Sequence, residues 1–467
     1  MNRLFSPETY IKRREQLLHT QLKGFALFLS NDEASMNYPS NTYKYRQDSS
    51  FLYFFGLSIP NIAAIIDFDR KECILFGDDF EIDDIIWMGD QPKMTELAAL
   101  IGITKVMPYS AMATYIEQNR DRTIHYLPPY RGEKIIKLAQ LLDCHVKEVV
   151  GKASQALIKE VVALREIKSA EEIVEIEDAC AIGYDMFTTA MKKTRVGGTE
   201  AELAGIVEGI ALSGGNGVSF PVILSQHGET LHNHNHHLTL EEGRLLLIDM
   251  GAENGMNYCS DNTRTIPVSG KFTPKQAAIY QIVYDANMAG IAACKPGIYF
   301  RDVHEIAVTI ITKGLQELGL MKGDVAESVK AGAHALFMPH GLGHQMGLDV
   351  HDMEDFGEDN VGYDETISRS PIFGWGSLRM AKELRPGHVV TVEPGIYFVP
   401  HLIEIWKREN KFSQFLNYDK IDEYVGFGGI RVEDDVLITE TGHRVLGKPI
   451  PKSIAEVEAI VGSEPLT

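Results

Sequence analysis

The 467-residue sequence predicts an α/β protein built from more than one domain. Three observations carry this expectation. Short apolar segments alternate with polar breaks through the first third, capped helical stretches begin at Ser169, and after residue 243 apolar strands end in carboxylates. The length is about three times the ~150 residues of a typical domain, so two or three separate cores are expected.

Taken in order, Ser6 followed by Pro7 offers an N-cap and first-turn proline for a helix running to about Leu22. Segments 25–29, 62–67 and 73–76 read as short apolar strands. Trp87, in Ile-Ile-Trp87-Met-Gly, reads as a core tryptophan, with a place capping a site as the alternative. A boundary falls within 150–168, where Gly151-Lys152 precedes the first long helix, and divides the chain into 1–160 and 161–467. Ser169-Ala-Glu-Glu172 is a capping box, in which hydroxyl and carboxylate reciprocally satisfy free backbone donors. Ile173, Ile176, Ile182 and Met186 follow at helical spacing. Thr199 with Glu202 and Thr273-Pro274 with Gln276 repeat the device. Val196-Gly-Gly-Thr-Glu200 and Pro296-Gly-Ile298 each join two helical patterns, an internal echo of duplication or of two helix pairs with glycine turns. Segments 245–249, 389–393 and 430–438 read as strands whose ends can aim acids rigidly into one pocket.

Charge excludes some partners. Lys+Arg 45 against Asp+Glu 65 leaves a net −20, a field that repels phosphate backbones and anionic lipid unless a basic patch intervenes. The densest basic run, Lys12-Arg13-Arg14, lies on an amphipathic stretch, so neither nucleic acid nor membrane is expected as a partner. At 44% hydrophobic and 24% charged the composition is globular. Five scattered cysteines form no C-x-x-C pair, which argues against a disulfide framework or thiolate zinc site and fits a reducing compartment. The N-terminus lacks an apolar signal core, and no apolar run approaches the roughly 20 residues that span a bilayer. The chain reads as cytoplasmic.

Histidines and acids carry the chemistry. Of 16 histidines, five lie within 227–237 and three within 340–351. The first group is a solvated loop or a metal-binding one. The second stands in His340-Gly-Leu-Gly-His344-Gln-Met-Gly-Leu-Asp-Val-His351, where glycines permit close backbone approach. Asp249, Asp261, Glu393 and Glu433 lie at or beside apolar strands, and a buried charge costs several kcal/mol unless paired or metal-bound. Four such acids with a His-Gly-Leu-Gly-His loop make a hard-ligand site for two divalent cations. Oxygen-rich ligation with one imidazole suits two Mn²⁺ ions, with Co²⁺ or Zn²⁺ by substitution.

These motifs resemble the pita-bread metallopeptidases that cleave Xaa-Pro bonds, prolidase and aminopeptidase P. Arg46-Gln-Asp-Ser-Ser-Phe51-Leu-Tyr53-Phe-Phe-Gly56 is similar to their N-terminal-domain signature, and Leu164-Arg-Glu-Ile-Lys-Ser169 to the entry of their catalytic domain. The resemblance implies an N-terminal α/β domain of aminopeptidase P type over 1–160 and a pita-bread catalytic domain over 161–467. It implies that Asp249 chelates one metal, that Asp261 and Glu433 bridge both, and that His344 and Glu393 complete the other shell. It implies further that His232, His340 and His351 contact substrate or stabilise the tetrahedral intermediate. Arg431 would orient Glu433, Tyr397 would lie near the substrate, and Glu393 would shuttle a proton toward the leaving nitrogen. A homodimer or homotetramer is implied as well. Substrates would be peptides with proline at position two, whose nitrogen carries no N–H and so needs a dedicated pocket.

Ser377-Leu-Arg379 resembles prolidases, where an arginine grips a dipeptide's C-terminal carboxylate bidentately; a plain surface arginine is the alternative. The long segment from Glu393 to Glu433, with Trp406, Phe412 and Phe415, is also prolidase-like. The expectation leans to Xaa-Pro dipeptides, with aminopeptidase action on longer peptides as the alternative. A non-catalytic binding module of this fold is disfavoured because all five ligands are retained. Two features depart from the family. Asp249 and Asp261 have one more residue between them than is usual, read as a longer hairpin turn anchored by Asn262-Thr-Arg-Thr. His234, His236 and His237 have no family counterpart.

Overall fold

The computed structural model describes residues 3–464. It divides into two compact units, one running to Arg165 with Met353–Asn360 added, the other Glu166–Asp352 with Val361 onward. In the first unit, strands β1 (Phe25–Leu29), β2 (Ala63–Asp67), β3 (Glu72–Phe76), β4 (Lys105–Met107) and β5 (Ile124–His125) form one sheet in the order β4-β3-β2-β1-β5. β1 and β2 are buried throughout, as their apolar runs require for a sheet covered on both faces, and the one acid, Asp67 at the end of β2, is paired with Arg122. β4 joins β3 and β5 joins β1 in parallel, while the central pairs are antiparallel.

Two details of this unit, the end of the first helix and the place of Trp87, differ from the sequence expectation. The first helix is Pro7–Leu18 and stops short of Leu22: the His19 N–H makes the last i→i−4 bond, to the Glu15 carbonyl, and the Thr20 N–H and Oγ1 both turn back to the Leu17 carbonyl. Ser6 takes the N-cap position without a side-chain cap bond. The basic run is amphipathic as expected: Lys12 is exposed, while Arg13 and Arg14 are buried and donate to the carbonyls of Tyr53 and Phe54, at the C-terminal end of helix Ser49–Phe55. Trp87 lies on helix Ile82–Met88 at 84% exposure and is no core residue. Asp78, Asp79, Glu81, Asp83 and Asp84 precede it within ten residues, and burying them would cost more than the indole returns.

In the second unit the three predicted capping boxes open helices Ala170–Lys193, Glu200–Gly214 and Pro274–Ala293, and Ser453 with Glu456 adds a fourth at Ile454–Ile460. The internal echo is a repeat of helix pairs. Ala170–Lys193 passes to Glu200–Gly214, and Pro274–Ala293 to Phe300–Glu317, each through a glycine of positive φ, Gly197 (+82°) and Gly297 (+85°).

The strands of this unit are β6 (Gly217–Val218), β7 (Ile223–Ser225), β8 (Leu245–Met250), β9 (Ala252–Glu253), β10 (Asn262–Pro267), β11 (Val389–Val392), β12 (Gly395–Tyr397), β13 (Gly429–Arg431), β14 (Asp434–Ile438) and β15 (His443–Val445). They form the ladders β10-β8-β7, β11-β14-β15, β12-β13 and β6-β9. The segment expected as one strand over 430–438 is two: β13 pairs with β12, β14 with β11, and the chain changes partners at Val432 and Glu433. Glu433 is drawn aside there, its N–H bonding the Thr263 carbonyl of β10.

β8 and β10 place Asp249 opposite Thr263. Between them runs the longer hairpin, through β9 and a turn closed by the Asn254 N–H to the Tyr258 carbonyl, with Asn257 at φ +66°. Gly251 is required at the crossing: a Cβ would stand 1.7 Å from the Ser260 carbonyl oxygen and 2.5 Å from Ser219 Oγ. Gly251→Ala is expected to destabilise the protein by about 1–3 kcal/mol, the range for overpacking, and to weaken metal retention because Asp249 and Asp261 flank the crossing. Denaturant unfolding and metal analysis of the same preparation check both. Among the described residues no helix is long and apolar enough to cross a membrane.

Candidate metal centre

The five predicted ligands come from five places in the second unit. Asp249 lies near the end of β8, Asp261 just before β10, His344 in the glycine-rich loop, Glu393 just after β11 and Glu433 between β13 and β14. Asp249, Asp261, His344 and Glu433 are buried. Asp261, His344 and Glu433 each offer a ligand atom, all within 4.8 Å of one another. His344 Nε2 stands 3.3 Å from Asp261 Oδ2 and 3.7 Å from Glu393 Oε1.

The donor set fits a pair of divalent cations. His344 Nδ1 is 3.0 Å from the Gln345 carbonyl, which can only accept, so Nδ1 carries the proton and the Nε2 lone pair faces the carboxylates. Asp249 Oδ1 and Asp261 Oδ1 are buried, with no hydrogen-bond partner among the described residues. Burial, then repulsion from neighbouring acids, holds the Asp261 and Glu433 carboxyls well above the usual carboxylate range. Burial pushes Glu393 up to about 7, against the pull of Arg431. Two doubly charged cations are what such a cluster lacks.

A pH dependence follows for the metal-free protein. Each raised carboxyl stays protonated in the fold at a pH where it is ionised in the unfolded chain. Its contribution to stability is complete below the ordinary carboxylate range and is lost as pH rises through about 7 for Glu393. Chelator-stripped protein should therefore melt higher at about pH 5 than at about pH 9, and added divalent metal should shrink the difference. Thermal melts with and without metal across that window measure it.

The surrounding bonds show how the ligands are held. Arg431 donates from Nη2 to Asp249 Oδ2 (2.5 Å), from Nε to Thr263 Oγ1 (3.0 Å) and from Nη1 to the Tyr397 hydroxyl (2.7 Å). The guanidinium thus grips Asp249 and reaches Glu433 only through Thr263, whose hydroxyl donates to Glu433 Oε2 at 2.7 Å. This corrects the expectation that Arg431 orients Glu433 directly; the chain breaks strand between them. Asn262-Thr-Arg-Thr holds Asp261 through its backbone, as the start of β10 laddered onto β8. The Asp261 N–H bonds Asp435 Oδ2 (3.1 Å), while Arg264 pairs with Asp434 (2.7 Å). Thr391 Oγ1 accepts the His344 N–H (3.1 Å) and donates to Glu393 Oε1 (3.5 Å). Thr263, Thr391 and Asp435 are the positioning residues that sequence reasoning missed. Their only local signal is a polar residue on a buried strand within two positions of an acid.

On the substrate side, His340 Nδ1 donates to the Gly341 carbonyl (2.7 Å) and Nε2 accepts from the Tyr397 hydroxyl (2.9 Å). Burial pushes His340 down to about 3, so it is neutral. Tyr397 has no exposed surface and spends its hydroxyl on Arg431 and His340. It therefore lies at the site as expected, bonded to the guanidinium that grips Asp249 and to His340. His351 stacks obliquely on His344, centroids 4.1 Å apart. His232 is exposed, and partial burial with the charge of Arg431 holds it below the ordinary imidazole value. Arg379 is half-buried, and its charge is felt by His232, His340, His344 and Glu393. His236 Nε2 is 3.0 Å from the Val222 carbonyl and fastens its loop, whereas His234 and His237 are exposed.

This fold and donor set define a metallopeptidase. Residues 174–440 match the model of metallopeptidase family M24, and residues 10–125 that of the aminopeptidase P N-terminal domain. The chain is 31% identical to human (Homo sapiens) Xaa-Pro dipeptidase over 449 residues, 93% of this chain and 88% of that protein. It is 31% identical to a probable Xaa-Pro aminopeptidase of Phaeosphaeria nodorum, covering 90% and 88%. Escherichia coli aminopeptidase P with the inhibitor Pro-Leu superposes with a TM-score of 0.78 at 28% identity over 98% of each chain. The zinc-substituted form of that enzyme with product gives 0.79 at 28% identity over 100% of each. The chain belongs to metallopeptidase family M24, in its pita-bread fold with an N-terminal domain of aminopeptidase P type.

Proposed function

We propose that this protein is an exopeptidase that hydrolyses the bond between an N-terminal residue and proline, with Xaa-Pro dipeptides as preferred substrates. The convergence of Asp261, His344 and Glu433 ligand atoms within 4.8 Å, with Asp249 and Glu393 beside them, carries the reading. The relatives named Xaa-Pro dipeptidase and Xaa-Pro aminopeptidase support it. Asp249, Asp261, His344, Glu393 and Glu433 would hold two Mn²⁺ ions, or Co²⁺ or Zn²⁺ in their place. The chemistry such a pair supplies when bound is Lewis-acid polarisation of the scissile carbonyl and activation of water for attack.

The chain's own groups do the rest. Glu393, 3.7 Å from His344 Nε2 and supported by the Thr391 hydroxyl, is the carboxylate that would pass a proton to the proline nitrogen. His340, neutral and fixed by Gly341 and Tyr397, orients the peptide, and His232 and His351 would add further contacts to it. The acidic cluster attracts the substrate's free α-ammonium. Peptides, not nucleic acid or membrane, are the proposed partners, in a cytoplasmic homodimer or homotetramer.

Arg379 would pair bidentately with the dipeptide's C-terminal carboxylate. Arg379→Ala is expected to raise KM for an Xaa-Pro dipeptide by about 10–100-fold, the worth of a charge-assisted pair, and to spare an Xaa-Pro-Yaa tripeptide. Equal effects on both substrates would refute the carboxylate role. The second reading, aminopeptidase action on longer peptides, is favoured by the likeness to aminopeptidase P structures over the whole chain. It predicts faster wild-type turnover of the tripeptide in the same assay.

A further inference from the structure

Outside the candidate metal centre, His304 on helix Phe300–Glu317 and His334 in the turn Ala333–Leu336 are fully buried. Among the described residues, none of their four ring nitrogens meets a hydrogen-bond partner. Burial keeps both rings neutral, His334 at about 4 and His304 well below its ordinary value. Orphaned polar atoms cost stability that a leucine in the same volume would not. A core selected for stability alone has no use for the pair.

What rests on them is Trp375. Its indole stands edge-on to both imidazoles, with centroids at 5.0 Å from His304 and 5.8 Å from His334 and interplanar angles of 72° and 88°. Trp375 Nε1 donates to the Val329 carbonyl at 3.0 Å. The backbone is pressed down from both sides. Gly374 lies at φ +86°, and a Cβ there would meet the Ala335 Cβ at 2.5 Å; one on Gly332 would meet Ile372 Cγ2 at 2.7 Å. From Trp375 the short turn Trp375–Ser377 leads to Leu378. The Leu378 carbonyl accepts from the Tyr363 hydroxyl (2.8 Å) and from Arg369 Nη1 (3.1 Å). The next residue is Arg379.

We propose that Trp375, seated on the His304–His334 pair, is a positioning residue that sets Arg379 for the carboxylate of a dipeptide. This rests on the carboxylate reading of Arg379. Three successive restraints, the imidazole seat, the Val329 bond and the double clamp on Leu378, fix the backbone from which that guanidinium projects. Loss of the seat loosens Arg379 while leaving the metal ligands and their supports untouched. The signature is selective: binding of a free C-terminal carboxylate weakens and the chemical step does not.

The test is steady-state kinetics of the metal-loaded enzyme on an Xaa-Pro dipeptide and on its C-terminal amide. Trp375→Ala is expected to raise the dipeptide KM about tenfold, with kcat within about twofold and the amide unaffected. Trp375→Phe, which keeps an aromatic ring on the seat, should restore most of the loss. Should Trp375→Ala fail to fold, the His304→Leu/His334→Leu variant decides: the dipeptide KM should rise at least about threefold without a lowered melting temperature. A folded Trp375→Ala or double-leucine variant with wild-type dipeptide KM, beside an Arg379→Ala variant whose KM does rise, overturns the seat and leaves the carboxylate reading standing. An unchanged KM in Arg379→Ala overturns both. Equal losses on dipeptide and amide also overturn the proposal, since they mark a general structural defect.

Discussion

Asp261→Asn is expected to abolish most activity, by about 10³-fold or more, the worth of several kcal/mol of metal-assisted stabilisation of the transition state. Asp261 offers a ligand atom within 4.8 Å of those of His344 and Glu433, and its Oδ1 has no hydrogen-bond partner among the described residues. The amide nearly matches the carboxylate in shape but not in charge, so bound metal should fall below two equivalents per chain. In the absence of metal the same substitution should have the opposite effect on stability. It removes a carboxyl that burial and neighbouring acids already hold well above its ordinary range, and so relieves the cluster. Chelator-stripped Asp261→Asn should therefore melt no lower than stripped wild type, and higher above neutral pH. Metal analysis, turnover and melts on one preparation give all three readouts. A variant that keeps two metals and full turnover would remove Asp261 from the centre.

Arg431→Met is expected to destabilise the protein by about 3–5 kcal/mol, the cost of breaking a buried ion pair by deleting one partner. The guanidinium lies inside the fold and is spent on three groups in three directions: Asp249, Thr263 and Tyr397. Without it Asp249 is a buried anion without its cation, and the Tyr397 hydroxyl loses the donor that turns it toward His340. Metal affinity should drop 10–100-fold, the usual range for an outer-shell partner. Arg431→Lys should rescue little, because a point charge on a flexible stem cannot replace a planar fork. Denaturant unfolding and competition with a chelator check both effects. Wild-type stability in Arg431→Met would show that the pair with Asp249 is not what holds this corner together.

What could be read from the residues alone was whatever carried a local cost. An acid at the end of an apolar strand is expensive, so Asp249 and Glu393 announced themselves, and the glycine-rich run around His344 marked a close backbone approach. Capping boxes are complete within four residues, and those at Ser169, Thr199 and Thr273 stand as read. What failed depended on partners far along the chain. Arg431 is two residues from Glu433 but 182 from Asp249, the carboxylate it grips. The break at Val432 and Glu433 is invisible in an alternating pattern because strands β12 and β11 decide it. Trp87 has apolar neighbours on both sides, and the acids upstream outweigh them. His304 and His334 lack any sequence signal, since nothing in an isolated histidine says that its nitrogens will go unsatisfied.

Manganese-loaded crystals measured at the metal's absorption edge test the dinuclear centre most directly. Two anomalous peaks should appear about 3.5–4 Å apart, surrounded by Asp249, Asp261, His344, Glu393 and Glu433. A map with no peak among those five side chains, from crystals of enzyme that still cleaves Xaa-Pro, would contradict it.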